Sequence, residues 1–172
     1  GMTVIVPCDY AQTKAATIAV ADYKGPVYLR FGRPVWPIFT SEMEFKIGKA
    51  QVFTEGKDVS IFACGHLVWI ALEAEKILKE KGIAAEVINI HTIKPLDTES
   101  ILTSIRKTGC AVSAEEHNIL GGLGDSISGV SQWKRYASPR VAFTTFCGVG
   151  RICRDSPVTL LRRMMLPSCD SV

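Results

Sequence analysis

Strand-like and helix-like runs alternate along the middle of this chain, and this alternation limits its fold more than any other feature of the sequence. Five short apolar or β-branched runs predict strands, at residues 50–54, 58–65, 84–90, 110–116 and 140–146. Three amphipathic segments between them predict helices, at residues 66–81, 97–109 and 122–136. Strands that alternate with helices form a mainly parallel sheet with helices on both faces. We therefore predict a three-layer α/β/α domain around a mainly parallel five-stranded sheet.

The first 33 residues hold a separate strand–helix–strand unit. It consists of a strand at Thr3–Pro7, a helix from about Tyr10 to Tyr23 that Asp9 caps, and a strand at Gly25–Phe31. Four residues at helical spacing predict the buried face of this helix: Ala11, Ala15, Ile18 and Ala19. Two strands and one helix do not form a stable domain alone, so we interpret this unit as the end of a domain whose beginning is missing. The following residues 34–49, which contain prolines and glycines with little periodicity, predict a linker.

Composition excludes several classes of protein. The net charge of +3, from 20 basic and 17 acidic residues, is too small to indicate nucleic-acid binding. The sequence has no run of eighteen apolar residues and does not start with a basic segment followed by an apolar one, so it predicts neither a membrane span nor a signal peptide. None of the six cysteines forms a CxxC pair, which argues against a zinc site. We expect a cytoplasmic protein with reduced thiols.

The segment EEHNILGGLGDSI (residues 115–127) combines two carboxylates, a histidine and three glycines directly after a predicted strand. Its glycines do not complete a dinucleotide fingerprint, because Ile127 occupies the third glycine position, and no Walker lysine follows. The simpler interpretation is a tight turn that lets the strand and the helix pack closely, through Gly121, Gly122 and Gly124. The alternative is an anion bound to the free amides at the start of the helix.

Two further groups of residues are candidates for chemistry. Glu115 and His117 are alternate residues at a strand end, so they can face one side as an acid and a base, whereas Glu116 points the other way. The favoured alternative is a side chain that is buried at an interface and satisfied by hydrogen bonds. Cys64 and His66 are two residues apart but have no evident third group to orient them, so nucleophilic catalysis is not favoured. We expect His66 at a helix N-terminus, where a neutral imidazole is preferred.

Two arginines, Arg30 and Arg33, follow the second predicted strand in the sequence YLRFGRP. An arginine at such a strand end can bind a phosphate through two parallel hydrogen bonds, and the alternative is a solvated arginine. His91 and Lys94 fall in a predicted loop that Pro95 holds, where we expect structural or interfacial roles.

Several segments, in the same order, resemble transketolase. GMTVIVPCDYAQTKAA and GPVYLRFGRP resemble the end of its pyrimidine-binding domain, while VINIHTIKPLD and AEEHNILGGLGDSI resemble two segments of its C-terminal domain. Deoxyxylulose-phosphate synthases and the β subunits of 2-oxo acid dehydrogenases carry related segments. The resemblance covers about residues 2–143. It implies that residues 1–33 are the remnant of the pyrimidine-binding domain, 34–49 a linker and 50–145 a transketolase C-terminal-like domain.

The resemblance implies an activity for the complete enzyme, which is ketol transfer between sugar phosphates, as in the pentose phosphate pathway, with thiamine diphosphate and a divalent metal (Mg or Ca). The family holds this cofactor and metal with regions that are absent from this chain. We therefore expect no catalytic residue, metal ligand or cofactor bound by this chain alone, and a role in assembly as a homodimer or with an N-terminal transketolase partner chain. The second interpretation is a non-catalytic module for dimerisation or small-anion binding that docks on a thiamine-binding partner.

The resemblance also ranks the candidate residues. Arg33, with Arg30 as the alternative, best matches the arginine that holds the sugar phosphate in this family. His66 and the segment with Glu116 and His117 are left as a candidate anion or interface site, together with the three glycines Gly121, Gly122 and Gly124.

Residues 146–172 depart from the family pattern. A transketolase has a segment like F-[GA]-E-S-G where this chain reads FCGVGRICRDSP. Codons for residues 146–153, read one base later, permit Phe-Ala-Glu-Ser-Gly-x-Ser-Ala, so we hypothesise a shift of the reading frame near Thr144 or Thr145. The alternative is a family variant with an unusual tail, and resequencing of the gene separates the two.

Overall fold

A computed structural model describes residues 1–41, 43–118, 120–133 and 145–146. The strands and helices of these residues are, in chain order, β1 (Thr3–Ile5), α1 (Tyr10–Ala21), β2 (Val27–Leu29), β3 (Gln51–Thr54), β4 (Val59–Ala63), α2 (Leu67–Glu80), β5 (Ala85–Asn89), β6 (Thr92–Lys94), α3 (Thr98–Thr108), β7 (Ala111–Ala114), α4 (Leu123–Trp133) and β8 (Thr145–Phe146). The start of the predicted strand at 140–146 and the tail from 147 onwards lie outside the described residues. Among the helices that are described, none combines the length and hydropathy that crossing a membrane requires.

The larger sheet contains five strands in the order β3–β5–β4–β7–β8. Strands β5, β4, β7 and β8 run parallel, while β3 pairs with β5 in the antiparallel direction. Every residue of β4 and β5 is buried, which is typical of parallel strands covered by helices on both faces. The prediction of a mainly parallel five-stranded sheet is confirmed, with β3 as its antiparallel edge.

Helices cover both faces of this sheet. Ile61 of β4 belongs to one apolar cluster with Val68 of α2, while its neighbour Phe62 belongs to another with Ile101 of α3 and Ile127 of α4. Successive strand residues point to opposite faces, so the two clusters lie on the two sides of the sheet. The predicted three-layer α/β/α arrangement is therefore confirmed.

A third strand joins the N-terminal strand–helix–strand unit. Strand β6 pairs antiparallel with β1, which pairs parallel with β2, so the smaller sheet has the order β2–β1–β6. The Val6 amide also donates to the His91 carbonyl at 2.7 Å. The prediction of a loop around His91 and Lys94 is wrong for Thr92–Lys94, because the partner strand comes from the start of the chain and a short local pattern does not reveal it.

The buried face of α1 also differs from the prediction. Its buried residues are Gln12 and Ala16, whereas Ile18 is 61% exposed. Gln12 Nε2 donates to Gln51 Oε1 at 2.6 Å, and Asn89 Nδ2 donates to Gln12 Oε1 at 3.1 Å. A glutamine can face the five-stranded sheet because its amide is satisfied there, which an analysis of apolar spacing misses.

The linker is tied to α1 by one buried carboxylate. Asp9 caps α1 as predicted, since its Oδ1 accepts a hydrogen bond from the Gln12 amide at 2.8 Å. Its Oδ2 accepts from the amides of Phe39 and Thr40 at 2.7 and 2.9 Å, and the Thr40 hydroxyl donates to Oδ1 at 2.5 Å. Asp9 thus fixes where the linker runs past the start of α1.

His91 should make the stability of this fold sensitive to acid. Its ring is fully buried beside Phe45, with a centroid separation of 4.4 Å, and burial lowers the pKa of His91 from 6.5 to about 4. Below the unfolded pKa the unfolded chain binds a proton that the folded chain excludes, so this stability is present above about pH 6.5 and is lost as the pH falls towards 4. We expect the free energy of unfolding to be about 2 kcal/mol lower at pH 5 than at pH 7.5, measured by urea denaturation.

A His91→Asn variant provides the control, because the amide of asparagine does not titrate and its oxygen can replace His91 Nδ1, which lies 2.9 Å from the Thr92 hydroxyl. Most of the difference in the free energy of unfolding between the two pH values should disappear in this variant. An equal acid sensitivity in the variant and the parent chain would show that His91 is not its source.

Candidate functional site

A cavity of about 840 Å³ lies where the two sheets meet. Its lining follows the carboxyl ends of four strands, with Pro7 after β1, Phe31 after β2, Gly65 after β4 and Glu116 after β7. Ligands of open α/β sheets bind in crevices beyond the carboxyl ends of strands. The position of this cavity therefore makes it the candidate functional site.

The cavity brings together four of the residues that the sequence singles out: Arg30, Arg33, His66 and Glu116. The Arg30 amide continues the pairing of β2 with β1 by donating to the Ile5 carbonyl at 2.9 Å. Its guanidinium Nη2 donates to the Glu116 carbonyl at 2.5 Å, which links the smaller sheet to the end of β7. Arg30 is half-buried and Arg33 is exposed. Two guanidinium groups on one cavity can bind an anionic group with good geometry.

His66 lies at the start of α2, as predicted, between an aromatic ring and a carboxylate. Trp36 stacks on it with a centroid separation of 4.7 Å and an interplanar angle of 13°. Its Nδ1 lies 3.6 Å from Oε2 of Glu116. Burial lowers the pKa of His66, and the Arg30 charge acts in the same direction, while the Glu116 carboxylate opposes both.

The two cysteines of the cavity are poorly suited to act as nucleophiles at neutral pH. Cys8 and Cys64 are buried free thiols. Burial raises the pKa of Cys64 to about 12, and burial likewise raises the pKa of Cys8 far above its usual range. Since the thiolate is the reactive form, the raised pKa of Cys64 argues against this residue and His66 as a nucleophilic pair.

Glu115 occupies the start of α4. Its carboxylate is buried and accepts hydrogen bonds from the amides of Leu123 and Gly124 at 2.7 and 2.9 Å. An added Cβ on Gly122 would lie 2.5 Å from both carboxylate oxygens, and Gly121 adopts a positive φ of 75°. The glycines therefore fit a tight turn around an internal carboxylate, and an anion at this helix start would have to displace Glu115.

His117 does not converge with Glu115. It is exposed, and its Nδ1 lies 3.3 Å from the Asn118 carbonyl. Glu116 is instead the acidic residue that lies near a histidine, since its carboxylate approaches His66 at the start of α2. Neither His117 nor Gly121, Gly122 and Gly124 lines the cavity.

Trp36 is the cavity residue that sequence reasoning missed. It lies in the linker, whose sequence has neither helical nor strand periodicity. The only signal in the sequence is the presence of a large aromatic residue among prolines. No group of three or more His, Cys, Asp or Glu side chains that could hold a metal ion occurs among the residues the structure describes. Among the polar side chains of the cavity, Arg30, Arg33 and His66 can bind an anion, while Asp9 and Glu116 are carboxylates.

A family model described as "Transketolase, C-terminal domain" matches residues 48–172. The chain is similar to a "6-deoxy-6-sulfo-D-fructose transketolase subunit SqwH" of Clostridium sp. (strain MSTE9), with 46% identity over 127 residues that cover 73% of this chain and 39% of that protein. It is also similar to a "Putative transketolase C-terminal section" of Methanocaldococcus jannaschii, with 43% identity over 132 residues, or 75% of this chain and 41% of that protein.

A solved structure described as "Split gene transketolase, inactive beta4 tetramer" matches with a TM-score of 0.79 and 40% sequence identity. The match covers 95% of this chain and 52% of that chain. The chain thus spans about two fifths of the length of the two relatives and about half of the split transketolase chain. Because the family model matches most of the sequence and the fold agrees, this chain belongs to the transketolase C-terminal domain family.

Proposed function

We propose that this chain is the C-terminal section of a thiamine diphosphate-dependent transketolase of the cytoplasm, which takes part in ketol transfer only together with the rest of the enzyme. The observation that carries this proposal is the convergence of Arg30 and Arg33 on one cavity at the carboxyl ends of the strands. Two guanidinium groups suit the charged end of a sugar phosphate. The named relatives, one of which is a transketolase subunit for a sulfonated sugar, support the reaction class.

The cavity binds substrate rather than cofactor in this proposal. Its side-chain donors, two guanidinium groups and an imidazole, suit an anion. Mg²⁺ or Ca²⁺ takes several oxygen ligands, whereas of the two cavity carboxylates that of Asp9 is already engaged by Gln12, Phe39 and Thr40, which leaves Glu116. We therefore assign thiamine diphosphate and its metal, Mg or Ca, to a polypeptide outside this sequence. When bound there, the cofactor supplies the covalent chemistry of ketol transfer. The residues of this chain bind and orient the substrate.

Arg33 is the first choice for the contact with substrate, and Arg30 is a supporting residue. The guanidinium of Arg30 is held by the Glu116 carbonyl at 2.5 Å, and the residue is half-buried. Arg33 lies three residues further from the strand and is exposed at the cavity. An arginine at the open side of the cavity can meet the phosphate of an entering sugar, while Arg30 fixes the wall behind it.

Assembly with another polypeptide is the second role that we propose for this chain. Among the described residues, ten large apolar side chains are exposed, and eight of them lie within residues 1–38: Met2, Tyr10, Ile18, Tyr23, Tyr28, Phe31, Val35 and Ile38. Apolar surface that is concentrated in one region is typical of a surface that another element covers. We propose that an N-terminal transketolase polypeptide, or a second copy in a homodimer, covers it.

An Arg33→Gln variant tests the substrate contact in the enzyme reconstituted with its N-terminal half. The variant loses charge-assisted hydrogen bonds worth about 2 kcal/mol. We therefore expect the KM for a phosphorylated acceptor aldose to rise about 30-fold. The kcat should change much less, because the phosphate is bound equally in the ground state and the transition state. Steady-state kinetics with the same aldose lacking its phosphate provide the control, since its KM should not change.

Two further observations belong to the same experiment. The chain without its N-terminal half should give no ketol transfer, and thiamine diphosphate with magnesium should leave its thermal unfolding unchanged. Stabilisation of the chain alone by this cofactor would contradict the assignment of the cofactor to another polypeptide. Equal losses with the phosphorylated and the unphosphorylated aldose would show that Arg33 does not contact the phosphate. The absence of ketol transfer in the reconstituted enzyme would favour a module for dimerisation or small-anion binding.

A further inference from the structure

Trp36 and His66 stack on each other in the cavity. Neither nucleophilic catalysis nor metal binding accounts for this pair. We infer that His66, held between Trp36 and Glu116, takes up a proton when a dianion enters the cavity, and that this third positive charge makes the site select phosphate over sulfonate. The inference rests on the proposed function, because it concerns the anion that Arg30 and Arg33 bind.

The formal charges of the cavity cancel while His66 is neutral. Arg30 and Arg33 supply two positive charges, while Asp9 and Glu116 supply two negative ones on the same cavity. The other titratable groups that face it are Cys8, Tyr10 and Cys64, and burial keeps both thiols neutral by raising the pKa of Cys8 and of Cys64. With a neutral His66 the arginines are therefore balanced by carboxylates. A protonated His66 leaves the cavity with a net positive charge when the anion arrives.

The geometry favours the protonated ring once an anion is present. The indole face of Trp36, stacked at 4.7 Å, stabilises a cation placed over it. The Glu116 carboxylate, 3.6 Å from Nδ1, does the same through its charge. The imidazole makes no capping hydrogen bond to the backbone at the start of α2. The side chain is thus placed by Trp36 and Glu116 rather than by its helix.

Without an anion the balance is the opposite. Burial and the Arg30 charge lower the pKa of His66, and the attraction of Glu116 does not compensate for them. The empty cavity therefore holds a neutral imidazole at neutral pH, and the proton is taken up together with the ligand. By linkage, the anion binds more tightly as the pH falls towards the pKa that His66 has in the empty cavity.

The coupling between anion binding and protonation of His66 discriminates between anions of different charge. Each negative charge near His66 raises its pKa, because the attraction of a cation to an anion grows with the charge of the anion. A phosphate dianion therefore recruits the proton more strongly than a sulfonate monoanion of similar shape. His66 is a specificity-determining residue on this account, and Trp36 is a positioning residue that acts through it.

The test uses the full chain with sulfate as a dianion and methanesulfonate as a monoanion, since neither titrates between about pH 5.5 and 8. NMR of the three imidazoles follows protonation directly, with His91 and His117 as internal references. We expect saturating sulfate to raise the pKa of His66 by about one unit, which corresponds to sulfate binding that is tighter by up to about tenfold at pH 5.5 than at pH 8. Methanesulfonate should show less than about a threefold change over the same range.

Three variants complete the test, with thermal unfolding as the check that each one folds. His66→Gln should abolish the pH dependence of sulfate binding, Trp36→Ala should weaken it, and Trp36→Phe should restore much of it by retaining a stacked ring. Sulfate binding that depends on Arg33 while the pKa of His66 does not move would overturn this inference and leave the proposed function standing. The absence of any sulfate binding would overturn both. If a phosphorylated aldose raises the pKa of His66 as sulfate does, the anion that the cavity binds is the substrate. If only inorganic anions raise this pKa, the role of His66 in substrate selection is overturned.

Discussion

An Asp9→Ala substitution is expected to lower the free energy of unfolding by about 4 kcal/mol, from the loss of a helix cap and of partners for buried amides. The Asp9 carboxylate is 5% exposed and accepts four hydrogen bonds from three residues: Gln12, Phe39 and Thr40. The cap accounts for about 1 kcal/mol of the loss. The rest comes from the linker amides of Phe39 and Thr40, each of which costs about 1–3 kcal/mol when it is left buried without a partner.

Urea denaturation measures this loss, and two variants calibrate it. Asp58→Ala removes an exposed carboxylate whose Oδ2 accepts one bond from the Ala84 amide at 2.7 Å, so we expect a loss of about 1 kcal/mol or less. Thr40→Val removes only the hydroxyl bond to Asp9 and should give an intermediate loss. A result for Asp9→Ala that matches Asp58→Ala would mean that the linker is not held by this carboxylate. Asp9→Ala should also change the position of Trp36, because this residue lies in the linker that Asp9 holds.

The five-stranded sheet was predictable because each of its elements carries its own local pattern. The apolar residues of α2 recur at helical spacing, and β4 and β5 are short continuous apolar runs of the kind that parallel strands require. The direction of β3 was not predictable from its four residues, since both antiparallel and parallel edge strands accept such a sequence. Strand β6 was missed because its partner lies about ninety residues away along the chain.

The face of α1 was mispredicted for a different reason. An apolar stripe at Ala11, Ala15, Ile18 and Ala19 predicts burial within this chain only if the element that covers the stripe belongs to the same chain. In this chain Gln12 is buried because Gln51 and Asn89 satisfy its amide, and Ile18 is exposed. If another polypeptide covers the first 38 residues, as proposed, the stripe and the buried glutamine are both correct signals for neighbouring faces of one helix.

The candidate site was predictable in part. The sequence YLRFGRP placed Arg30 and Arg33 after a strand, and the start of α2 placed His66 at the end of β4. Their convergence was not predicted, because β2 and β4 belong to two different sheets. The contact between His66 and Glu116 was not predictable, because β4 and β7 had to be adjacent in the sheet for these residues to meet. Trp36 could not be assigned at all, since its position depends on the hydrogen bonds that Asp9 makes with the linker.

A Gly122→Ala substitution is expected to lower the free energy of unfolding by about 3 kcal/mol, because the new Cβ would displace a buried hydrogen-bonded carboxylate. The Cβ would lie 2.5 Å from both oxygens of Glu115, which is closer than real contacts allow. Glu115 is 2% exposed, so its carboxylate must leave the amides of Leu123 and Gly124 in order to move. Thermal or urea denaturation measures the loss.

The same helix supplies the matched control. Gly129 lies on the exposed side of α4, and a Cβ there would meet no atom within 4 Å. Gly129→Ala should therefore stabilise the chain by about 0.5–1 kcal/mol, because alanine favours the helix interior over glycine. A double-mutant cycle then isolates the cause: once Glu115→Ala has removed the carboxylate, Gly122→Ala should cost little, and the difference between the two backgrounds measures the clash. A cost that persists without the Glu115 side chain would place the strain in the backbone of the turn, and the glycine would then be required by conformation rather than by the carboxylate that fills the helix start.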